Sequence, residues 1–282
     1  MALRVTFDTN VLDLACRPGR FPKDPRQPGL SKVHDALQRG ELLGFYSVTM
    51  LTIEGIMKKD RAKVYGSTRT AISESVSTTK NADLPEAIRQ KVGTGDVETI
   101  RVEYKIEQPE RAALHPEVVA RIQAAKALGV RVLKAPPRTG AFTINDPTGE
   151  YYLGTGEGDA LSAWIDKVQA VGREIAKRGV GYAQVKALGE GLAANPEETW
   201  FRALENAPDI HSQRAIERAF GEWADGDAVA AHIAYGLDVF CSADVGNSNA
   251  TNSILDPANR AWLTSTYGVK FMTFDDLLSS LP

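Results

Sequence analysis

Four acidic residues far apart in the chain are the first candidates for chemistry. Asp8 follows the run Leu3-Arg4-Val5-Thr6-Phe7, and Asp244 follows the apolar run Leu237 to Ser242. Each carboxylate therefore sits where a strand ends. Glu54 lies in the early turns after a second apolar run, Leu42 to Val48, and Asp227 opens the Ala228, Val229, Ala231, Ile233 stretch ahead of the 237–242 run. Ligands of open parallel sheets collect outside the carboxyl ends of the strands, so Asp8 and Asp244 share a rim and Glu54 leans back toward it. Two unit charges ~5 Å apart at an effective dielectric of ~20 repel by about 3 kcal/mol, so four converging carboxylates need protons or a cation. An all-oxygen set suits a hard divalent ion, Mg²⁺ or Mn²⁺, whose open positions and bound water suit phosphodiester hydrolysis.

Simpler roles exist for each residue. Asp8 can cap the helix carrying Val11 and Leu12. In Asp225-Gly226-Asp227 the first acid can be an N-cap and the second a first-turn acid favoured by the helix dipole. An acidic residue at Glu54 is ordinary in a first or second helical turn. Asp275 and Asp276 follow Thr273, and Asp276 stands where a capping partner belongs. The four histidines and two cysteines are scattered without zinc spacing.

The elements that must position these groups alternate. Strand, tight turn and helix run from Leu3 through Ala15, and a basic loop holding four prolines, Arg17, Arg20, Lys23 and Arg26 extends to Gly29. A helix over Ser31 to Arg39, the strand Leu42 to Val48, and a helix capped by Thr49 and carrying Ile53, Ile56 and Met57 follow. The Ser- and Thr-rich stretch from Gly66 to Asp83 reads as a polar helix or a mobile insertion. Ile100, Val102, Tyr104 and Ile106 alternate with charges like a half-buried strand. A helix ending at Gly129 leads into a strand over Val130 to Leu133, and Glu157 to Arg178 is a helix with Trp164, Val168, Val171 and Ile175 on one stripe. The Gly154-x-Gly156-x-Gly158 run is its flexible lead-in. A final strand, Val269 to Met272, precedes a short helix. Alternating strands and helices predict an α/β fold with a parallel sheet covered on both faces.

The residues also resemble a known family. Phe7-Asp8-Thr9-Asn10-Val11-Leu12, Thr49-x-x-Thr52-x-Glu54, Asp227-Ala228-x-Ala230-Ala231 and Ser242-x-Asp244 are similar to the motifs of PIN domains. That resemblance implies a three-layer, Rossmann-like sheet of about five parallel strands and a Mg²⁺- or Mn²⁺-dependent endoribonuclease. It matches Asp8, Glu54, Asp227 and Asp244 to the metal-holding, catalytic acids and Asn10 and Ser242 to supporting polar residues. It covers residues 1–60 and 217–282 as a nuclease core, with 130–134 as a candidate third strand and 61–216 as a mainly helical insertion. RNA is the implied substrate, guided by Arg17, Arg20, Lys23 and Arg26 on the basic loop. A homodimer and an antitoxin-like protein are the candidate protein partners.

Composition bounds the alternatives. With 33 Lys and Arg against 36 Asp and Glu, the net charge of −3 argues against binding a polyanion by global attraction while leaving room for a local basic rim. No uncharged run is long enough to span a membrane. Arg4 and Asp8 interrupt the apolar run an export signal needs, so a cytoplasmic location and two free thiols, Cys16 and Cys241, are expected. Two other readings compete: a catalytically silent module binding RNA or protein, and a small-molecule phosphatase with Asp8 as nucleophile, disfavoured because Asn10 stands where such enzymes place a second acid.

Overall fold

A computed structural model describes residues 2–107, 114–138, 146–244 and 252–281. In chain order the first half holds β1 (Leu3–Phe7), α1 (Thr9–Cys16), α2 (Gln27–Gln38), β2 (Leu42–Ser47), α3 (Lys58–Gly66), β3 (Arg69–Thr79), α4 (Glu86–Val92), β4 (Val97–Glu107), α5 (Pro116–Ala127) and β5 (Arg131–Leu133). The second holds α6 (Asp159–Lys177), α7 (Tyr182–Leu192), α8 (Trp200–Ala203), α9 (Ile210–Tyr235), β6 (Val239–Cys241), α10 (Pro257–Tyr267), β7 (Phe271–Met272) and α11 (Phe274–Ser280).

Five strands form one parallel sheet in the order β5-β2-β1-β6-β7. Alternation along each strand sends its side chains to two cores. Val5, Phe7, Tyr46, Val132, Val239 and Cys241 pack with α1, α2, α5 and α11 on one face. Phe240, Phe45 and Leu133 pack on the other, against residues of α6, α9 and α10. The expected α/β class and covered parallel sheet are therefore observed, in three layers. Gly44 on β2 is dictated by closeness: a Cβ there would stand 2.9 Å from Val130 and 3.0 Å from Leu37. Both cysteines are free and buried.

The chain builds β2 and β5 outward on one side of β1 and later returns to place β6 and β7 on the other. That reversal makes the β1/β6 boundary a switch point, where connections leave in opposite directions and open a crevice at the carboxyl ends.

Several local expectations are revised. Thr49 does not cap a helix; its hydroxyl donates to Ala224 O at 3.2 Å and is hydrogen-bonded with the Ser47 hydroxyl at 2.7 Å, and the chain makes a wide π-type turn over Met50–Glu54. The Ser- and Thr-rich stretch is a strand: β3 pairs antiparallel with β4 from Arg69↔Glu107 to Thr79↔Val97. Polar β-branched residues serve a strand whose neighbours can match it, which local periodicity does not reveal. The basic loop is shorter than its proline content implies, since α2 begins at Gln27 with Pro28 in its first turn, where a missing N–H costs nothing.

The largest revision concerns α9. Residues 225–227 do not open a helix; they lie in the middle of a 26-residue one that starts at Ile210, capped by Asp209 accepting from Ser212 N at 2.8 Å. Gly226 is a contact point rather than a breaker, for a Cβ there would stand 3.0 Å from Gly181 Cα at the start of α7. Among the described residues no helix is long and apolar enough to cross a membrane.

Candidate functional site

At the β1/β6 switch point the backbone N–H of Asp8 donates to Cys241 O at 2.9 Å, which ties the two strand ends together. Asp8 then caps α1: its Oδ1 accepts from Thr9 N at 2.7 Å and its Oδ2 accepts from Ser242 Oγ at 2.6 Å. Capping and lining the crevice are thus the same geometry. Ser242 Oγ also accepts from Asp244 N at 2.9 Å and from Asn10 Nδ2 at 3.5 Å, while Asn10 Oδ1 accepts from Ala243 N at 3.0 Å. Asn10 and Ser242 therefore lock the backbone after β6 onto the start of α1 and hold the Asp8 carboxylate beside the Asp244 backbone.

Glu54 reaches the same crevice from the end of the π-type turn, where its carboxylate accepts from the Thr9 hydroxyl. Arg61 on α3 fixes that turn by donating to Glu54 O at 3.3 Å and Ile56 O at 3.1 Å, and Tyr65 donates to Thr52 O at 3.0 Å.

Of the two neighbouring acids, Asp225 is the one whose carboxyl is raised by the charges of Asp8, Glu54 and Asp244, whereas Asp227 is bonded to Arg138. Two residues along an α-helix are separated by ~200°, so these side chains leave α9 on opposite sides. Asp225 faces the crevice, where burial and the charges of Asp8, Glu54, Glu222 and Asp244 push its carboxyl well above the usual range. Burial first, and Asp8 second, push Glu54 up to about 7. Burial raises Asp8 too, with Asp244 adding to it and the hydrogen bonds from Ser242, Thr9 and Asn10 opposing it. Asp8 thus acts on both Glu54 and Asp225, and Asp244 acts on Asp8 and Asp225.

Asp227 is occupied elsewhere. Its carboxylate takes Arg138 Nε at 2.8 Å and Nη2 at 2.7 Å, and Trp223 Nε1 at 2.7 Å, with its side chain 1% exposed. It anchors the segment after β5 to α9.

The acids supply oxygen donors only, which fits a hard divalent cation in chemistry. Among the described residues no group of three or more His, Cys, Asp and Glu side chains is drawn together tightly enough to hold a metal ion.

The basic loop divides. Arg17 pairs with Asp13 at 2.6 Å, and both it and Arg20 reach Glu117 on α5. Arg121 of α5 joins the same group through Asp13 at 3.0 Å and helps hold down the Glu54 carboxyl. Arg26 turns away, bound to Asp24 at 2.8 Å and packed 5.9 Å from the Phe274 ring centre. Lys23 is exposed and forms no ion pair among the described residues. On the other wall Arg260 donates to Asp244 O at 2.8 Å while lying over Phe271. Arg61, Arg121 and Arg260 escaped sequence reading because none belongs to a motif; each arrives from a helix whose placement is a tertiary fact.

No family model, no curated protein and no solved structure matches this chain.

Proposed function

We propose that this chain is a PIN-like, divalent-metal-dependent ribonuclease whose acids are Asp8, Glu54, Asp225 and Asp244. The observation that carries the reading is the bonding at the switch point of the parallel sheet, where ligands bind: Ser242 Oγ joins the Asp8 carboxylate to the Asp244 N–H, and Thr9, next to Asp8, joins the Glu54 carboxylate. Burial raises the carboxyls of both Asp8 and Asp225, so protons or a bound cation offset their charge, and this reading takes the cation. Mg²⁺ or Mn²⁺ fits the donor set and, when bound, supplies Lewis-acid activation of water and offsets charge on the phosphate. Asp8, Asp225 and Asp244 would hold it, with Glu54 rotating in from Thr9.

The chain's own residues account for the rest of the chemistry. Ser242 and Asn10 keep Asp8 and Asp244 aligned. Without an ion, burial and Asp8 raise the Glu54 carboxyl to about 7, so binding a cation there would displace a proton. Arg260, bonded to Asp244 O, and Arg121, whose charge helps hold down the Glu54 carboxyl, place positive charge beside the acids, which suits a polyanion.

The test is cleavage of labelled single-stranded RNA with and without Mn²⁺. Wild type is expected to cleave only with the ion, and Asp8→Asn, Asp225→Asn and Asp244→Asn to lose activity while remaining folded. Equal, metal-independent cleavage by wild type and variants would reveal a contaminant and sink the proposal. A silent RNA-binding module is favoured by one observation, the wide spacing of the acids; calorimetry with Mn²⁺ separates the two, because such a module has no need of the ion.

A further inference from the structure

A second crevice opens beside the first, at the carboxyl ends of β2 and β5, and encloses about 620 Å³. That volume lies within the range of small-molecule sites, and the position is where parallel sheets place ligands. Its lining includes the aromatic side chains of Tyr65, Tyr152, Trp164 and Trp223. Leu161 and Ile165 of α6 add apolar surface. This cavity backs onto the acidic crevice through shared elements: Thr52 and Ile53 line it while the next residue, Glu54, faces the acids, and Trp223 and Asp227 line it while Asp225 points the other way.

Its polar groups are few and of distinct kinds. Asp227 and Arg138 neutralise each other. Asp146 is held by the N–H groups of Tyr151 and Tyr152, both at 3.0 Å, and keeps acceptor capacity for a ligand N–H. Lys134, half-buried just past β5, forms no ion pair among the described residues, and its ammonium lies 5.7 Å from the Tyr152 ring centre. An apolar, aromatic-lined cavity with a cation that forms no ion pair among the described residues and one carboxylate acceptor fits a heterocycle that has N–H donors and bears a phosphate.

We infer that the cavity lined by Trp164, Tyr152 and Lys134 binds a nucleotide unit, its base in the aromatic slot and its phosphate on Lys134. The unit is either a free nucleoside monophosphate or one nucleotide of an RNA strand whose next phosphate reaches the acids; the second source rests on the ribonuclease reading, and the pocket itself does not. Lys134 acts here as a binding and positioning residue, since the acids lie beyond the shared wall.

The experiment is titration of the full-length protein with each of the four ribonucleoside 5′-monophosphates, followed by intrinsic tryptophan fluorescence and calorimetry. The matching nucleosides and inorganic phosphate are run alongside. At least one monophosphate is expected to bind, more tightly than its nucleoside and than phosphate alone. Lys134→Gln is expected to weaken it by about tenfold or more, the loss typical of one charge-assisted hydrogen bond. Leu161→Trp, which fills the slot from α6, is expected to abolish binding, with thermal melting confirming that both variants fold. The inference is overturned if no monophosphate binds at up to ~10 mM, a generous ceiling for a specific site, or if binding is indifferent to Lys134→Gln. Repeating the titration with a dinucleotide and the non-cleaving Asp8→Asn protein separates the sources: tighter binding than the monophosphate supports the RNA strand, equal binding supports the free nucleotide. Should Asp8→Asn cleave RNA like wild type while monophosphates still bind through Lys134, the nuclease reading falls and the pocket stands.

Discussion

Asp225 and Asp227 are separated by one glycine, yet replacing each with asparagine should move stability in opposite directions. At pH 8 without added metal, Asp225 sits among Asp8, Glu54, Glu222 and Asp244, all of which disfavour its charge. One unit-charge pair ~5 Å apart at an effective dielectric of ~20 repels by about 3 kcal/mol, and partial protonation absorbs some of it, so Asp225→Asn should stabilise by about 1–3 kcal/mol. Asp227 is the counter-ion of Arg138, whose side chain is 14% exposed, and Asp227→Asn leaves that guanidinium without a charge partner. Removing one member of a buried pair costs about 3–5 kcal/mol. With roughly 2–4 °C of melting temperature per kcal/mol for a chain of this size, Asp225→Asn should melt several degrees higher than wild type and Asp227→Asn roughly 10 °C lower. Calorimetric melting in EDTA measures both. Saturating Mn²⁺ at ~100 times its dissociation constant should then raise the wild type by about 2.7 kcal/mol, raise Asp227→Asn similarly, and leave Asp225→Asn unmoved. Destabilisation by Asp225→Asn, or loss of the Mn²⁺ response in Asp227→Asn alone, would refute the assignment of acids.

Three other predictions follow from the geometry. Metal-free stability should fall as pH rises from about 5 to 8: Glu54 has a folded pKa near 7 against an ordinary value near 4.5, so the folded state holds the extra proton, and up to about 3 kcal/mol present at low pH is lost through that window. Urea titrations at stepped pH check it, and Mn²⁺ should flatten the slope. Ser242→Ala should weaken Mn²⁺ binding about 10- to 100-fold with the melting temperature in EDTA shifted by only a few degrees, because the hydroxyl orients Asp8 and Asp244 and is not itself a ligand; calorimetry reads it. Gly189→Ala should destabilise by about 3 kcal/mol or more in thermal melts, since a Cβ there would lie 2.1 Å from Trp200 O and force α7 off the following segment.

What the sequence made legible tracks how local each cause is. The Asp8 turn could be read because every determinant lies within a few residues: a β-branched strand, an acid that caps, and apolar residues resuming with helical spacing. The Thr273–Asp276 capping box was legible for the same reason, and is present with Thr273 N donating to Asp276 Oδ2 at 2.9 Å. The choice between Asp225 and Asp227 was not local. It depended on where α9 begins, and Asp225-Gly226-Asp227 imitates a helix start while the true start lies at Asp209, more than four turns earlier. A glycine mid-helix reads as a break until α7 is seen to come within van der Waals contact of it, after which the glycine is required and the helix must run through. Once the helix is continuous, its periodicity decides the matter: an acid at 225 and an acid at 227 cannot both face the β1/β6 crevice, and the one beside Arg138 is the one already neutralised. Family spacing favoured Asp227, whereas the charges favour Asp225, and the paired melting experiment decides between them.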